Sequence, residues 1–231
     1  MATPTAEPAT QDTPTTDSRV AERAARLSTL ADAAPEAAAE EAWAWIAELG
    51  RRARRDRDGA LAELGELFRA GTPARGIDGP TEGALVTFTM QPAFDTAVAA
   101  LTTAWLPWAG KRFDAQAQRG DNLLLRSARL PARLLWPLYS ARDAGERLAA
   151  FDFETRVEPG ALDPDRDVLV IDYAPVESNP GLIIKSIRDE LVQVVPGANL
   201  GKMLWRRGDG ERHSLLAYFA LRSAVASDES N

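Results

Sequence analysis

The chain has 231 residues, 45% of them hydrophobic, which suffices for one sizeable domain with appendages and excludes a disordered chain. Its 27 Lys and Arg against 34 Asp and Glu leave a formal charge of −7, which disfavours a dedicated nucleic-acid binder because phosphates are repelled outside any local basic patch. With no cysteine, disulfides, thiolate catalysis and cysteine-ligated metals are excluded, and a reducing cytoplasm fits.

Residues 1–18 are rich in Thr, Pro, Ala and acid and hold no large apolar side chain, so a disordered tail is expected. The start lacks a basic, then apolar, leader, and no stretch reaches the roughly 20 apolar residues that span a bilayer. Neither export nor stable membrane insertion is expected, and the expected location is cytoplasmic. A helical extension over residues 19–75 follows. Asp17-Ser18 is placed to cap a helix from Arg19 to Ala33, with Val20, Ala24, Leu27 and Leu30 or Ala31 on one stripe. Pro35 opens a second helix with Ala39, Trp43, Ile46 and Leu49 on a common face and Gly50 placed to end it, while Trp45 lies off that face, toward the main domain. Arg51-Arg-Ala-Arg-Arg-Asp-Arg57 invites reading as a nucleic-acid or anionic-lipid patch. It has no interleaved aromatic, and Asp56, Asp58, Glu48 and Glu63 stand near enough to pair with it, so a solvated helix junction is expected. A third helix spans Asp58–Ala70, with Leu61, Leu64, Leu67 and Phe68 apolar.

A β domain is expected over residues 76–225, with a short tail at 226–231. Gly76–Gly83 is a turn-rich connection, and Ala84–Met90 reads as the first strand. Phe94, Val98, Leu101 and Trp105 recur at helical spacing, giving a helix that covers one end of the sheet. It delivers Trp105-Leu-Pro-Trp108-Ala-Gly-Lys111-Arg112-Phe113, where Pro107 and Gly110 mark a corner and the indoles can anchor a core or line a cavity. Asn122–Arg129, Leu134–Tyr139, Leu148–Val157, Asp167–Ala174, Ile183–Val194, Gly201–Arg206 and Ser214–Leu221 follow as candidate strands, the fifth with an alternative helical start. Ala149, Phe151, Phe153, Thr155 and Val157 alternate against Asp152, Glu154, Arg156 and Glu158, and Arg207-Gly-Asp-Gly210 has hairpin chemistry.

Trp108-Ala-Gly-Lys-Arg-Phe113 resembles the Trp-x-Gly-Lys-x-Phe signature of GXWXG-type proteins, which carry a companion domain of unknown function. The lead-in Leu61-Ala-Glu-Leu64-Gly-Glu-Leu67-Phe68 and the turn Val194-Val-Pro-Gly197-Ala-Asn-Leu200-Gly201-Lys-Met203 are similar to that family's flanking elements. The Gly-x-Trp-x-Gly element itself is absent; Gly76-Ile-Asp-Gly79-Pro-Thr-Glu-Gly83 stands there instead. The resemblance implies a lipocalin-like (calycin) barrel and no settled activity.

The expected fold is therefore mainly β: an antiparallel, calycin-like barrel with an N-terminal α-helical extension. No phosphate loop or nucleophile elbow is recognised, and His213, the only histidine, lies beside a turn, so neither a Ser-His-Asp triad nor a metal site is expected. Asp172 and Tyr173 end an apolar run, so one must face inward, and Asp189 between Arg188 and Glu190 needs a partner, for which Lys111 or Arg126 qualifies. Lys202 and Arg206 are further cations that could enter a cavity, and Tyr139, Tyr218 and Phe219 further aromatic walls. The leading expectation is a small apolar or amphipathic molecule held in the barrel without a cofactor, lined by Trp105, Trp108, Lys111, Trp136, Tyr173 and Trp205. Its rivals are a cyclase or isomerase in which Asp189, Lys111 or Tyr173 moves a proton, and an interaction module using the helices of Arg19–Ala70. The sequence is silent on oligomeric state.

Overall fold

Three helices lead the chain: α1 (Thr16–Ala33), α2 (Pro35–Arg52) and α3 (Arg57–Ala70). The computed structural model describes residues 16–89, 108–129, 139–181, 183–207 and 212–225. The expected tails, the helix leading to Trp105, most of the expected strand Leu134–Tyr139 and the hairpin turn after Arg207 fall largely or wholly outside the described residues. α1 begins at Thr16, so Asp17 sits inside its first turn, near the positive end of the helix dipole, rather than capping it. Pro35 occupies the start of α2, where its fixed φ fits and its missing N–H costs nothing. Asp56 caps α3 by accepting from the Gly59 amide at 3.1 Å.

Two sequence expectations for α2 change places. The helix runs past Gly50 to Arg52, because a single glycine inside a helix lowers stability by only about 1 kcal/mol and packing overrides it. Trp45, not Trp43, is the fully buried indole: it lies under the Arg23 guanidinium at 4.3 Å and donates to Glu63 at 3.0 Å, locking α1, α2 and α3 together.

The strands are β1 (Thr72–Pro73), β2 (Gly79–Pro80), β3 (Glu82–Phe88), β4 (Trp108–Asp114), β5 (Arg119–Leu125), β6 (Arg142–Ala144), β7 (Arg147–Pro159), β8 (Asp167–Asp172), β9 (Ile187–Val195), β10 (Ala198–Arg207) and β11 (Arg212–Arg222). All pairs are antiparallel, in the order β2-β4-β5-β7-β8-β9-β10-β11-β3, with β1 added to β9 and β6 to β7. The expected corner at Trp108–Phe113 is thus a strand, β4. The expected helical start near Ile183 is a 3-10 turn, Ile184–Ser186.

The ends of this path, β2 and β3, are joined through Thr81, and there the barrel nearly closes. Thr81 donates both its amide and its hydroxyl to the Lys111 carbonyl, each at 2.8 Å, and its hydroxyl accepts from the Lys111 amide at 3.1 Å. A side chain thereby supplies ladder bonds that a regular strand would make. Gly110, at φ +142°, makes the crossing possible, since a Cβ there would lie 2.0 Å from the Thr81 carbonyl oxygen.

Both faces of β8–β11 are covered, which explains why Val168-Leu-Val-Ile171 is apolar throughout. Leu169 and Ile171 point into the barrel with Leu191, Met203 and Phe219, whereas Val168 and Val170 share a second core with Val192, Leu200, Tyr218, Ala220 and the helix residues Leu27, Ile46, Leu64 and Phe68. The apolar stripes of the helices are covered by the barrel.

Candidate functional site

A shift in pairing between Trp108 and Gly110 breaks the strict alternation of β4, so that Trp108, Lys111 and Phe113 are all buried. β5 contributes Asn122, directly opposite Lys111; Tyr173 follows the last residue of β8; Asp189 on β9 faces Ile171. These side chains meet at the barrel's centre, where Lys111, Asp189, Asn122 and Tyr173 are at most 2% exposed.

All three ammonium N–H groups of Lys111 are used: Nζ donates to Asn122 Oδ1 and Asp189 Oδ2, each at 2.9 Å, and to the Tyr173 hydroxyl. Tyr173 in turn donates to Asp189 Oδ2 at 2.9 Å and accepts from Asn122 Nδ2 at 3.2 Å. Asn122 Oδ1 also takes the Trp108 indole N–H at 3.2 Å, and its amide donates to the Phe151 carbonyl at 3.1 Å. Asp189 Oδ1 has no hydrogen-bond partner among the described residues. Around the ammonium stand Tyr173 at 5.2 Å, Phe153 at 5.3 Å, Phe219 at 5.5 Å and Trp108 at 5.7 Å, whose electron-rich faces favour a cation. Burial lowers the Lys111 pKa, with the charge and hydrogen bond of Asp189 opposing the shift. Burial, then Asp189, pushes the Tyr173 phenol well up, so it remains a donor.

A cleft of about 1060 Å³ opens on the other side of this cluster. Pro175 and Val176 give it an accessible apolar lining, and Phe113 and Phe153, whose ring centroids are 5.4 Å apart, are buried behind its wall. Phe153 is fully buried, its ring 5.3 Å from the Lys111 ammonium. It fits because position 120 is glycine, where a Cβ would meet its ring at 2.5 Å. The polar lining is a chain of ion pairs. Arg112 holds Asp121, Arg142 reaches Asp121 at 3.7 Å, and Arg142 grips both oxygens of Asp152 at 2.8 and 2.6 Å. Burial and the Asp152 charge raise the Asp121 pKa against the pull of Arg112 and Arg142. Such an arrangement can offer apolar contact at Pro175 and Val176 beside alternating charges.

The structure brings together three of the expected site residues, Lys111, Tyr173 and Asp189, with Trp108 against them. It packs them on one another rather than around the cleft, whose lining includes none of the four. Trp205 is half-buried against the interior core, and Trp105 and Trp136 lie outside the described residues. Arg126 bonds the Gly145 carbonyl and does not approach Asp189. Lys202 and Arg206 face outward, Lys202 to Asp163 and the Phe68 ring at 4.2 Å, Arg206 to Asp172 at 2.7 Å. Tyr218 faces the helices. Asn122 and the Arg112, Asp121, Arg142 and Asp152 chain were not singled out from sequence; a lone amide before Leu123-Leu-Leu125 was the available signal for Asn122. Among the described residues no group of three or more His, Asp or Glu could hold a metal ion, and no helix is long and apolar enough to cross a membrane.

No protein-family model matches the chain, and no curated protein matches it. Among solved structures it is similar to a crystal structure of a protein from Thermomonospora curvata, at 17% identity and a TM-score of 0.40, covering 71% of this chain and 86% of that one.

Proposed function

We propose that the protein binds a small amphipathic molecule in the cleft, its apolar part against Pro175 and Val176 and its polar part against the Arg112, Asp121, Arg142 and Asp152 chain. The observation that carries this reading is a cleft of about 1060 Å³ in which the apolar side chains of Pro175 and Val176 adjoin paired charges. Pockets for small ligands combine this kind of apolar lining with a few placed polar groups. The Lys111 cluster serves as a rigid backing that fixes Phe153 from behind. We extend the reading to a calycin-like, GXWXG-type binding barrel, resting on the Trp108–Phe113 segment, in which Trp108, Gly110, Lys111 and Phe113 each have a structural task.

Native mass spectrometry of freshly isolated protein tests the proposal, with Val176→Trp as the cleft-filling variant. A bound mass on the natural chain that is lost from Val176→Trp at unchanged unfolding temperature is the expected result. A natural chain that carries nothing and gains no thermal protection from a panel of amphipathic molecules overturns it, as does a bound mass that Val176→Trp retains.

A further inference from the structure

The basic run is not neutralised by its neighbours. Arg52 takes two of the nearby acids, Glu63 at 2.7 Å and Asp56 at 3.6 Å. Arg51, Arg54 and Arg55 are exposed and have no ion-pair or hydrogen-bond partner for their side chains among the described residues. In a chain of net charge −7 that concentration is exceptional. The negative end of the α2 dipole amounts to roughly half a charge, too little to balance three guanidiniums.

These arginines border an apolar slot. α2 crosses β3 so closely at Gly50 that a Cβ there would lie 2.7 Å from the Val86 carbonyl oxygen. Beside the crossing is a hollow of about 200 Å³ between Trp43, Ile46 and Ala47 on the helix and Ala84, Leu85 and Val86 on the strand. Arg51 and Arg54 line both this slot and the adjoining recess, whose lining is otherwise Arg52, Arg55 and a single acid, Glu48. The slot has room for about seven groups of methylene or water size at roughly 30 Å³ each.

We propose that this second site, which shares no lining residue with the cleft, binds a short single-chain anionic amphiphile. Its alkyl tail lies in the slot between α2 and β3, and its phosphate or carboxylate head sits on Arg51 and Arg54. Guanidinium forks match the oxygens of such heads in pairs, and the apolar slot sets a requirement for a tail that an anion alone does not meet.

Calorimetric titration of the full chain with octyl phosphate, octanol and inorganic phosphate decides the matter. Octyl phosphate is expected to bind one-to-one, at least about tenfold tighter than either half-molecule. Ala47→Trp, which fills the slot, and Arg51→Gln/Arg54→Gln, which removes the head contacts, each weaken it by about tenfold or more at unchanged unfolding temperature. Where Ala47→Trp lowers that temperature, Ala84→Leu narrows the slot from the strand side instead and carries the same expectation. Inorganic phosphate binding as tightly as octyl phosphate overturns the proposal, as does full binding to a slot-filled variant. Sedimentation with phosphatidylglycerol vesicles that depends on the arginines and not on the slot assigns the patch to a membrane surface and likewise overturns it. Val176→Trp must leave octyl phosphate binding intact; loss there places the ligand in the cleft and refutes this second site without touching the first.

Discussion

Lys111 shows how one side chain can specify a barrel interior. A buried ammonium is tolerated only when paired and fully hydrogen-bonded, and here Asn122, Tyr173 and Asp189 take its three protons. Removing one partner alone leaves an uncompensated charge, so Lys111→Met and Asp189→Leu should each lower unfolding free energy by about 3–5 kcal/mol. The double variant should lose much less than the sum, and urea denaturation of the four chains measures the coupling. Additive losses would show that the pair is not the unit of stability. The pH dependence has a definite sign. Between the lowered folded pKa of Lys111 and its ordinary value near 10.4, the unfolded chain binds more protons, so this group makes stability rise with pH. Above about pH 10 the raised Tyr173 pKa acts oppositely, because the unfolded phenol ionises first and stability falls. Lys111→Met should flatten the rise and Tyr173→Phe the fall, in urea midpoints followed from pH 7 to 11.

At the scale of elements, β4 is the longest of the strands whose residues were read as something else, and the reason is physical. Pro107 and Gly110 flank a segment that reads as a corner, but Gly110 provides a close crossing inside a strand. The shift in pairing after Trp108 puts residues of opposite parity, Trp108 and Lys111, into one interior, and periodicity cannot reveal that. The same happens on β7, where Phe151 at φ +54° turns inward after Ala150, so Ala149 and Phe151 do not form the simple common face that alternation suggested. β3, β8 and β11 were legible because their apolar patterns are regular. Lys111 and Asp189 were legible as partners because charges amid apolar strands must pair. The cleft was not, since Arg112, Asp121, Arg142 and Asp152 come from four strands and look in sequence like ordinary surface charges. Two glycines test this account of β4. Gly110→Ala sets a Cβ 2.0 Å from the Thr81 carbonyl oxygen, whereas Gly145→Ala, at φ +64° in the turn between β6 and β7, meets nothing within 4 Å. The first should destabilise by about 3 kcal/mol or more, as overpacking plus strain, and the second by only about 1–2 kcal/mol, the cost of a left-handed alanine. Equal losses in thermal or urea unfolding would mean that the Thr81 crossing does not hold the barrel shut.

For the molecule as a whole, the consequence of two cores sharing one sheet is that the helices are not an appendage. Val168, Val170, Val192 and Leu200 are at most 1% exposed because α1, α2 and α3 cover them. Uncovering an aliphatic side chain of this size costs about 1.5–3 kcal/mol, so four together rival the roughly 5–15 kcal/mol by which a domain is stable. Helix and barrel are further pinned by Arg57, which donates to the Phe88 carbonyl at 2.8 Å, and by the Lys202 ammonium over the Phe68 ring at 4.2 Å. The full chain should therefore unfold in one transition, with far-ultraviolet dichroism and tryptophan fluorescence coinciding across a urea series. A chain beginning at residue 71 should show an uncooperative transition and bind a hydrophobic dye, since its outer sheet face would be an apolar patch too large for a stable monomer. If residues 71–225 alone gave a sharp transition without dye binding, the barrel would be self-sufficient. The helices would then be free to leave it, and both the shared core and the slot between α2 and β3 would have to be reassigned to a face that opens.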